Sequence, residues 1–277
     1  MKKWNMIIDV AMCHDCNNCF LACKDEYVNN PWPPYSEAQP WHGHRWMNIL
    51  RKERGQYPKV DVAYLPVPCM HCDDAPCVKK SNGGAVTKRK DGIVLIDPEK
   101  ARGRKDIVDS CPYGAIWWNG EKGLPQKCTF CVHMLEEGWQ QPRCVQACPT
   151  GAMTFVRVED GEMKKRVKSE NLEVLMPELK TKPRVYYKNL YLYEKCFIAG
   201  SVALQDRNEC AEGAMVTLKK GNRKIDAQET NNYGDFKFDN LDEKSGKYTL
   251  EVAYKGYKKQ KTGVDLKASA NVGTIFL

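Results

Sequence analysis

The stretch Cys13-His14-Asp15-Cys16-Asn17-Asn18-Cys19-Phe20-Leu21-Ala22-Cys23 sets four thiols at C-x2-C-x2-C-x3-C spacing. A loop with this spacing holds an iron–sulfur cubane: the first three thiolates reach one [4Fe–4S] cluster and the fourth reaches a neighbouring one. Such a run needs a second that returns the exchange. Cys69-Met70-His71-Cys72 is followed by Cys77, and Cys111 precedes Pro112. Cys128-Thr129-Phe130-Cys131 leads, after twelve residues, to Cys144 and then Cys148. Cys-Pro-x-Gly-Ala occurs at both 111–115 and 148–152, an internal repeat of one supersecondary unit. Four-cysteine zinc sites also use C-x2-C pairs. They rarely crowd four cysteines into eleven residues with proline after the terminal one of a group, so iron–sulfur is preferred.

Composition supports metal over disulfides. Twelve of the fourteen cysteines lie between residues 13 and 148, leaving Cys196 and Cys210 as free, unligated thiols. Dense C-x2-C groups without a secretory signal belong to a reducing compartment. Met1–Asp9 carries a lysine pair but no apolar run long enough for a signal peptide. The expected location is therefore the cytoplasm, or export by riding on a signal-bearing partner. No apolar run approaches a membrane span and mean hydropathy is −0.60, so no direct membrane insertion is expected. The formal charge of +8 treats every thiol as neutral. A cubane with four thiolates carries roughly −2, so three would remove about six charges, and no nucleic-acid partner is inferred from the basic pI.

Along the chain, residues 4–10 read as a strand entering the first cysteine loop, and 24–44, with Pro31-Trp32-Pro33-Pro34, as a loop insertion. Trp46–Ile49 and the turn around Gly55-Gln-Tyr-Pro58 suggest a hairpin. Gly92–Asp97 reads as a strand and Pro98–Ser110 as a helix with proline in its first turn. Ile116–Trp118 and Met153–Val158 read as strands. Residues 162–194 form a polar connector, one short helix and then an extended arm at Lys182–Tyr187. From about 197 the pattern changes to short alternating strands at 198–202, 214–218, 236–238, 248–254 and 274–277, the signature of a β-sandwich.

Over roughly residues 4–190 this pattern resembles the tandem-ferredoxin electron-transfer subunits of molybdopterin oxidoreductases such as dimethyl sulfoxide reductase. These carry four cysteine motifs; the first and fourth exchange their last ligands, as do the second and third. Here the first motif is Cys13, Cys16, Cys19 and Cys23, and the fourth is Cys128, Cys131, Cys144 and Cys148. The second keeps Cys69, Cys72 and Cys77 but has Ser81 in its last position. The third keeps only Cys111, with Ala101, Arg104 and Ile107 before it. The resemblance thus implies three clusters: Cys13/Cys16/Cys19/Cys148, Cys69/Cys72/Cys77/Cys111 and Cys128/Cys131/Cys144/Cys23. The missing ligands all belong to a single fourth cluster.

Gly43–Asn48, Lys182–Leu190 and the C-terminal sandwich extend the similarity to small subunits of the pyrogallol–phloroglucinol transhydroxylase-like molybdopterin enzymes. The resemblance implies an α+β chain. A tandem bacterial-ferredoxin-like domain with connector arm spans 1–195, and an all-β transthyretin-like or carboxypeptidase-regulatory-like sandwich spans 196–277. It implies a large catalytic partner carrying Mo/W-bis-molybdopterin guanine dinucleotide, in a heterodimer or higher assembly that acts on polyhydroxylated aromatics. Related catechol dehydroxylases and aromatic hydroxylases are the alternatives, and a membrane-quinol-linked reductase subunit would need a separate anchor protein. In a different class, the clusters would hold together a non-catalytic assembly module. No nucleophile–base pair or phosphate loop is evident, so the isolated chain is not expected to be an enzyme. His14, His71 and His133 lie beside cluster ligands and could donate to cluster sulfur, loop packing being the simpler role. Trp117 and Trp118 are assigned to a strand face rather than an electron path.

Overall fold

A computed structural model describes residues 1–277. In chain order the elements are β1 (Lys3–Asp9), α1 (Asn18–Tyr27), β2 (Met47–Gln56), β3 (Lys59–Pro68), α2 (Pro76–Lys80), β4 (Val86–Lys88), β5 (Val94–Ile96), β6 (Trp117–Asn119), β7 (Leu124–Gln126), α3 (Val132–Glu136), α4 (Arg143–Gln146), β8 (Met153–Val158), α5 (Asp160–Ser169), β9 (Val185–Lys188) and α6 (Tyr191–Glu194). Eight strands follow: β10 (Cys196–Leu204), β11 (Glu209–Cys210), β12 (Met215–Lys220), β13 (Arg223–Glu229), β14 (Asp235–Leu241), β15 (Gly246–Ala253), β16 (Gln260–Leu266) and β17 (Ala270–Phe276). The chain divides into two compact units, Met1–Leu50 with Tyr64–Leu190, and Arg51–Ala63 with Tyr191–Leu277.

The first unit is organised around β1, whose residues Trp4–Ile8 are all buried. It is the central strand of a three-stranded sheet, antiparallel to β8 and parallel to β9. A strand flanked on both edges and covered on both faces favours such an unbroken buried run, here apolar except for Asn5. Residues 185–188, read from sequence as part of an extended arm, are therefore a sheet strand in register with Met6–Asp9. Arg184, just before it, is buried and ion-paired to Asp73 and, at 2.9 Å, to Asp160. Apart from ten-residue α1 and α5, the helices are short, α2, α3 and α4 having four or five residues, and the β4–β5 and β6–β7 hairpins have three-residue strands.

The helix expected at Pro98–Ser110 does not form. Asp97 caps one turn, accepting from the backbone of Glu99 and Lys100 at 3.0 and 3.1 Å, and Gly103 ends it at φ +77°. Only a 3-10 segment, Lys105–Ser110, precedes Cys111. A capped turn followed by a left-handed glycine stops helix propagation despite a permissive N-terminal proline.

The second unit contains two four-stranded sheets. One joins β10 to β11, β14 and β17; the other runs β13-β12-β15-β16. Tyr248, Leu250 and Val252 on β15 alternate inward and share one core with Val216, Leu218, Ile198, Phe236 and Phe238. Gly200 is required on β10: a Cβ there would lie 2.8 Å from the Phe236 ring and 2.9 Å from the Gly273 carbonyl. β13 and β16 were not anticipated. β13, Arg-Lys-Ile-Asp-Ala-Gln-Glu, is mostly exposed, and neither strand shows clear apolar alternation. In this unit buried Arg54 pairs with Asp61 at 2.9 Å and Asp239 at 3.0 Å.

Candidate metal centres

The loops Cys13–Cys16, Cys69–Cys72 and Cys128–Cys131 place the residue two after the first cysteine at positive φ: Asp15 at 55°, His71 at 44° and Phe130 at 56°. None is glycine, so each turn carries a cost of about 1 kcal/mol. The turn brings a backbone N–H back onto the first thiol. His71 N donates to Cys69 Sγ at 3.5 Å, Phe130 N to Cys128 Sγ at 3.4 Å, and the Asp15 N–H likewise to Cys13. Further donors converge on other thiols: Gln39 Nε2 on Cys23 at 3.7 Å, Thr181 on Cys72, Tyr27 on Cys131, and the backbone of Tyr113 and Ala115 on Cys111. N–H and O–H groups aimed at sulfur favour the thiolate over the thiol.

The thiols fall into three groups by mutual influence. Burial raises Cys13 and Cys19, and charge on Cys148 and Cys16 adds to both. Burial, with Cys69, Cys111 and Cys77 around it, pushes Cys72 up to about 12. Burial, then Cys128 and Cys131, drives Cys23 well above its ordinary value; Cys144 is driven up by burial, Cys131, Cys128 and Cys23. Cys23 thus sits with the fourth motif and Cys148 with the first. Cys19 and Cys23, four residues apart on α1, share a helix face yet serve different groups. The groups adjoin in sequence: Cys19 also raises Cys144, and Cys69 raises Cys128.

Such thiols resist ionising without a metal. Burial, followed by neighbouring charge, pushes Cys19 and Cys128 up to about 12 and Cys77 to about 11. Iron would take the thiolates and release their protons. The donor chemistry fits cubanes better than single ions. A tetrahedral zinc would draw sulfurs to about 2.3 Å of one point, and no three His, Cys, Asp or Glu side chains converge on one ion position. Cys69, Cys72, Cys77 and Cys111 instead line a cavity together with Tyr113 and Lys127. All fourteen cysteines are free thiols; Cys196 is buried in the second unit and Cys210 is exposed.

The positions that would serve a fourth cluster are occupied otherwise. Ala101 and Ile107 are fully buried apolar residues. Arg104 Nη2 pairs with Asp106 at 2.8 Å. Ser81 Oγ accepts from Val86 N at 3.0 Å and can donate to the Val78 and Val86 carbonyls.

The three histidines separate. His14 is exposed. His133 is packed, stacked on Trp32 at 4.0 Å with Nε2 2.9 Å from Glu26. His71 is wholly buried and held neutral, chiefly by burial and then by Lys127 and Lys88. Its Nδ1 accepts from Val94 N at 3.0 Å, so the proton lies on Nε2, which has no protein partner. An orphaned N–H beside candidate cluster ligands fits a sulfur acceptor. Trp117 and Trp118 are half-buried on β6. Gln39, Tyr27, Thr181 and Lys127 were not singled out from sequence; only Lys127, adjacent to Cys128, carried any local signal.

A family model described as a 4Fe-4S dicluster domain matches residues 60–158. The pyrogallol hydroxytransferase small subunit of Pelobacter acidigallici is 50% identical over 280 residues, covering 100% of both proteins. The iron–sulfur subunit of the arsenate respiratory reductase of a Shewanella species is 31% identical, covering 67% of this chain and 95% of that one. A component of the anaerobic dimethyl sulfoxide reductase of Escherichia coli is 33% identical, covering 57% of this chain and 75% of its own length. No helix of the chain is long and apolar enough to cross a membrane.

Proposed function

This protein belongs to the iron–sulfur subunit family that includes the pyrogallol hydroxytransferase small subunit, and from that premise we propose that it carries electrons for a molybdopterin enzyme acting on polyhydroxylated aromatics. It is the non-catalytic partner of a large subunit that would carry Mo/W-bis-molybdopterin guanine dinucleotide. The chain itself holds three [4Fe–4S] clusters, ligated by Cys13/Cys16/Cys19/Cys148, Cys69/Cys72/Cys77/Cys111 and Cys128/Cys131/Cys144/Cys23. When bound, each supplies a one-electron carrier whose potential is set by burial and hydrogen bonds to sulfur.

The observation that carries this reading is the crossing of Cys23 and Cys148 between the two outer motifs. The neighbouring pairs Cys19/Cys144 and Cys69/Cys128 then order the clusters, with the Cys128 set in the middle. Apolar Ala101 and Ile107, and the hydrogen-bonded Ser81, support three clusters rather than four. The second unit, which we read as a transthyretin-like sandwich beginning near residue 196, has a structural or subunit-docking role. The reading carries a reducing compartment, the cytoplasm, where dense C-x2-C groups serve metal rather than disulfides.

The test is anaerobic purification of the tagged protein with its partners, followed by metal analysis. The expected result is a large subunit with molybdenum or tungsten and about twelve irons per small subunit. Iron without either metal, and clusters silent in a redox titration, would instead establish an assembly module.

A further inference from the structure

Lys127 is 2% exposed, and its ammonium has no carboxylate within ion-pair distance. Its Nζ donates only to backbone carbonyls, those of Val94 and of Cys128, the latter at 3.0 Å. Buried Arg184 and half-buried Lys88, also in the first unit, are by contrast neutralised. Lys88 Nζ lies 2.8 Å from Asp73, and Arg184 pairs with Asp73 and Asp160. A buried charge with two neutral acceptors is expensive unless an anion is nearby. The ring of His71, tilted by 32° against Phe130 with centroids 3.7 Å apart, carries no negative charge and offers no counter-ion.

The surroundings of Lys127 identify the anion. It lines the cavity formed with Cys69, Cys72, Cys77 and Cys111. It also immediately precedes Cys128, the first thiol of the next group. It therefore faces one thiol group and adjoins the next, where Cys69 approaches Cys128. No carboxylate is needed if both groups hold anionic clusters.

We propose that Lys127 is the shared counter-ion of the Cys69/Cys72/Cys77/Cys111 and Cys128/Cys131/Cys144/Cys23 clusters, raising both reduction potentials together. Adding an electron to a cluster makes it more negative, so a fixed cation favours the reduced form of each. The two clusters are thereby poised as a pair, while the Cys13/Cys16/Cys19/Cys148 cluster is set independently. Lys127 is a positioning charge and takes no part in bond making. This inference rests on the three-cluster reading, which iron content tests separately.

The experiment is an EPR-monitored redox titration of the anaerobically purified complex carrying wild-type protein, Lys127→Met or Lys127→Arg. Methionine keeps the apolar stem without the charge; arginine keeps the charge. In Lys127→Met, with iron content at the wild-type level, two of the three potentials are expected to fall. Each falls by at least tenfold in reduction equilibrium, 59 mV for a one-electron couple. The third potential stays in place, and Lys127→Arg recovers most of the shift. If Lys127→Met loses the iron of those two clusters and Lys127→Arg restores it, the charge requirement is seen through assembly instead. Unchanged potentials, a shift confined to one cluster, an equal shift of all three, or iron loss in both variants would overturn the proposal. Wild-type iron well below twelve would count against the three-cluster reading, not against the role of this charge.

Discussion

The two units reach a folded state by different routes. In the second, long strands alternate apolar and polar residues, and one continuous core runs from Ile198 through Leu218 and Phe238 to Leu250. In the first, Tyr27, Met47, Leu65, Met70, Ile93 and Phe130 are fully buried too, but around the thiols this packing is shared among three-residue strands and helices of about one turn rather than long alternating strands. Ordering the cysteine loops between those short elements costs conformational entropy. Metal–thiolate bonds offset that cost directly, so part of the metal-binding free energy is folding free energy. The largest expected effect follows directly. Anaerobic removal of iron with a strong chelator should abolish hydrogen-exchange protection through Cys13–Cys148 while β12 and β15 stay protected. Equal loss in both units would break the comparison.

A finer cut acts within the first unit. Cys111→Ala deletes one ligand, and the iron content should drop by about four per small subunit while the other two clusters persist. Loss of those two, with the Cys69 cluster retained, would overturn the wiring. The matching cut in the second unit is Leu250→Ala. Leu250 is fully buried in the sandwich core, so its truncation should cost about 2–5 kcal/mol of that unit's stability. Iron content should not change. Denaturant unfolding and iron assay on the same preparation separate the two quantities, and iron loss from Leu250→Ala would mean that the units do not stabilise themselves independently.

The same contrast explains what could be read in the sequence. The candidate ligands are legible because covalent spacing constrains them: C-x2-C-x2-C-x3-C suggests both a ligand set and the need for an exchange partner. The inward residues of β12 and β15 are legible because burial on one face imposes a period of two. The segment 98–110 was not, because an Asp97-capped turn ended by a left-handed Gly103 leaves the same composition as a short helix. β13 escaped because a mostly exposed strand needs no apolar alternation. Nor could spacing show that Asp15, His71 and Phe130 share a left-handed turn; three dissimilar side chains adopt it because the N–H···S geometry, not the side chain, demands it. Lys127 was overlooked for a related reason. A lysine beside a cysteine is ordinary in sequence, and its burial without a carboxylate appears only in three dimensions.

The smallest expected effect is at Ser81, where the first unit behaves for once like the second. A cysteine there would complete the second motif's spacing, yet no iron gain is expected. The other three positions of that cluster are Ala101, Arg104 and Ile107, two of them packed apolar residues, and one thiolate cannot hold a cubane. The hydroxyl instead ties the end of α2 to β4, accepting from Val86 N at 3.0 Å and donating to nearby carbonyls. A thiol is larger and a weaker hydrogen-bonding group. Ser81→Cys should therefore lose only about 1 kcal/mol of stability, with iron content unchanged. A rise of about four irons would show that this corner is held open by its missing ligands rather than closed by packing, and the contrast between the units would have to be redrawn there.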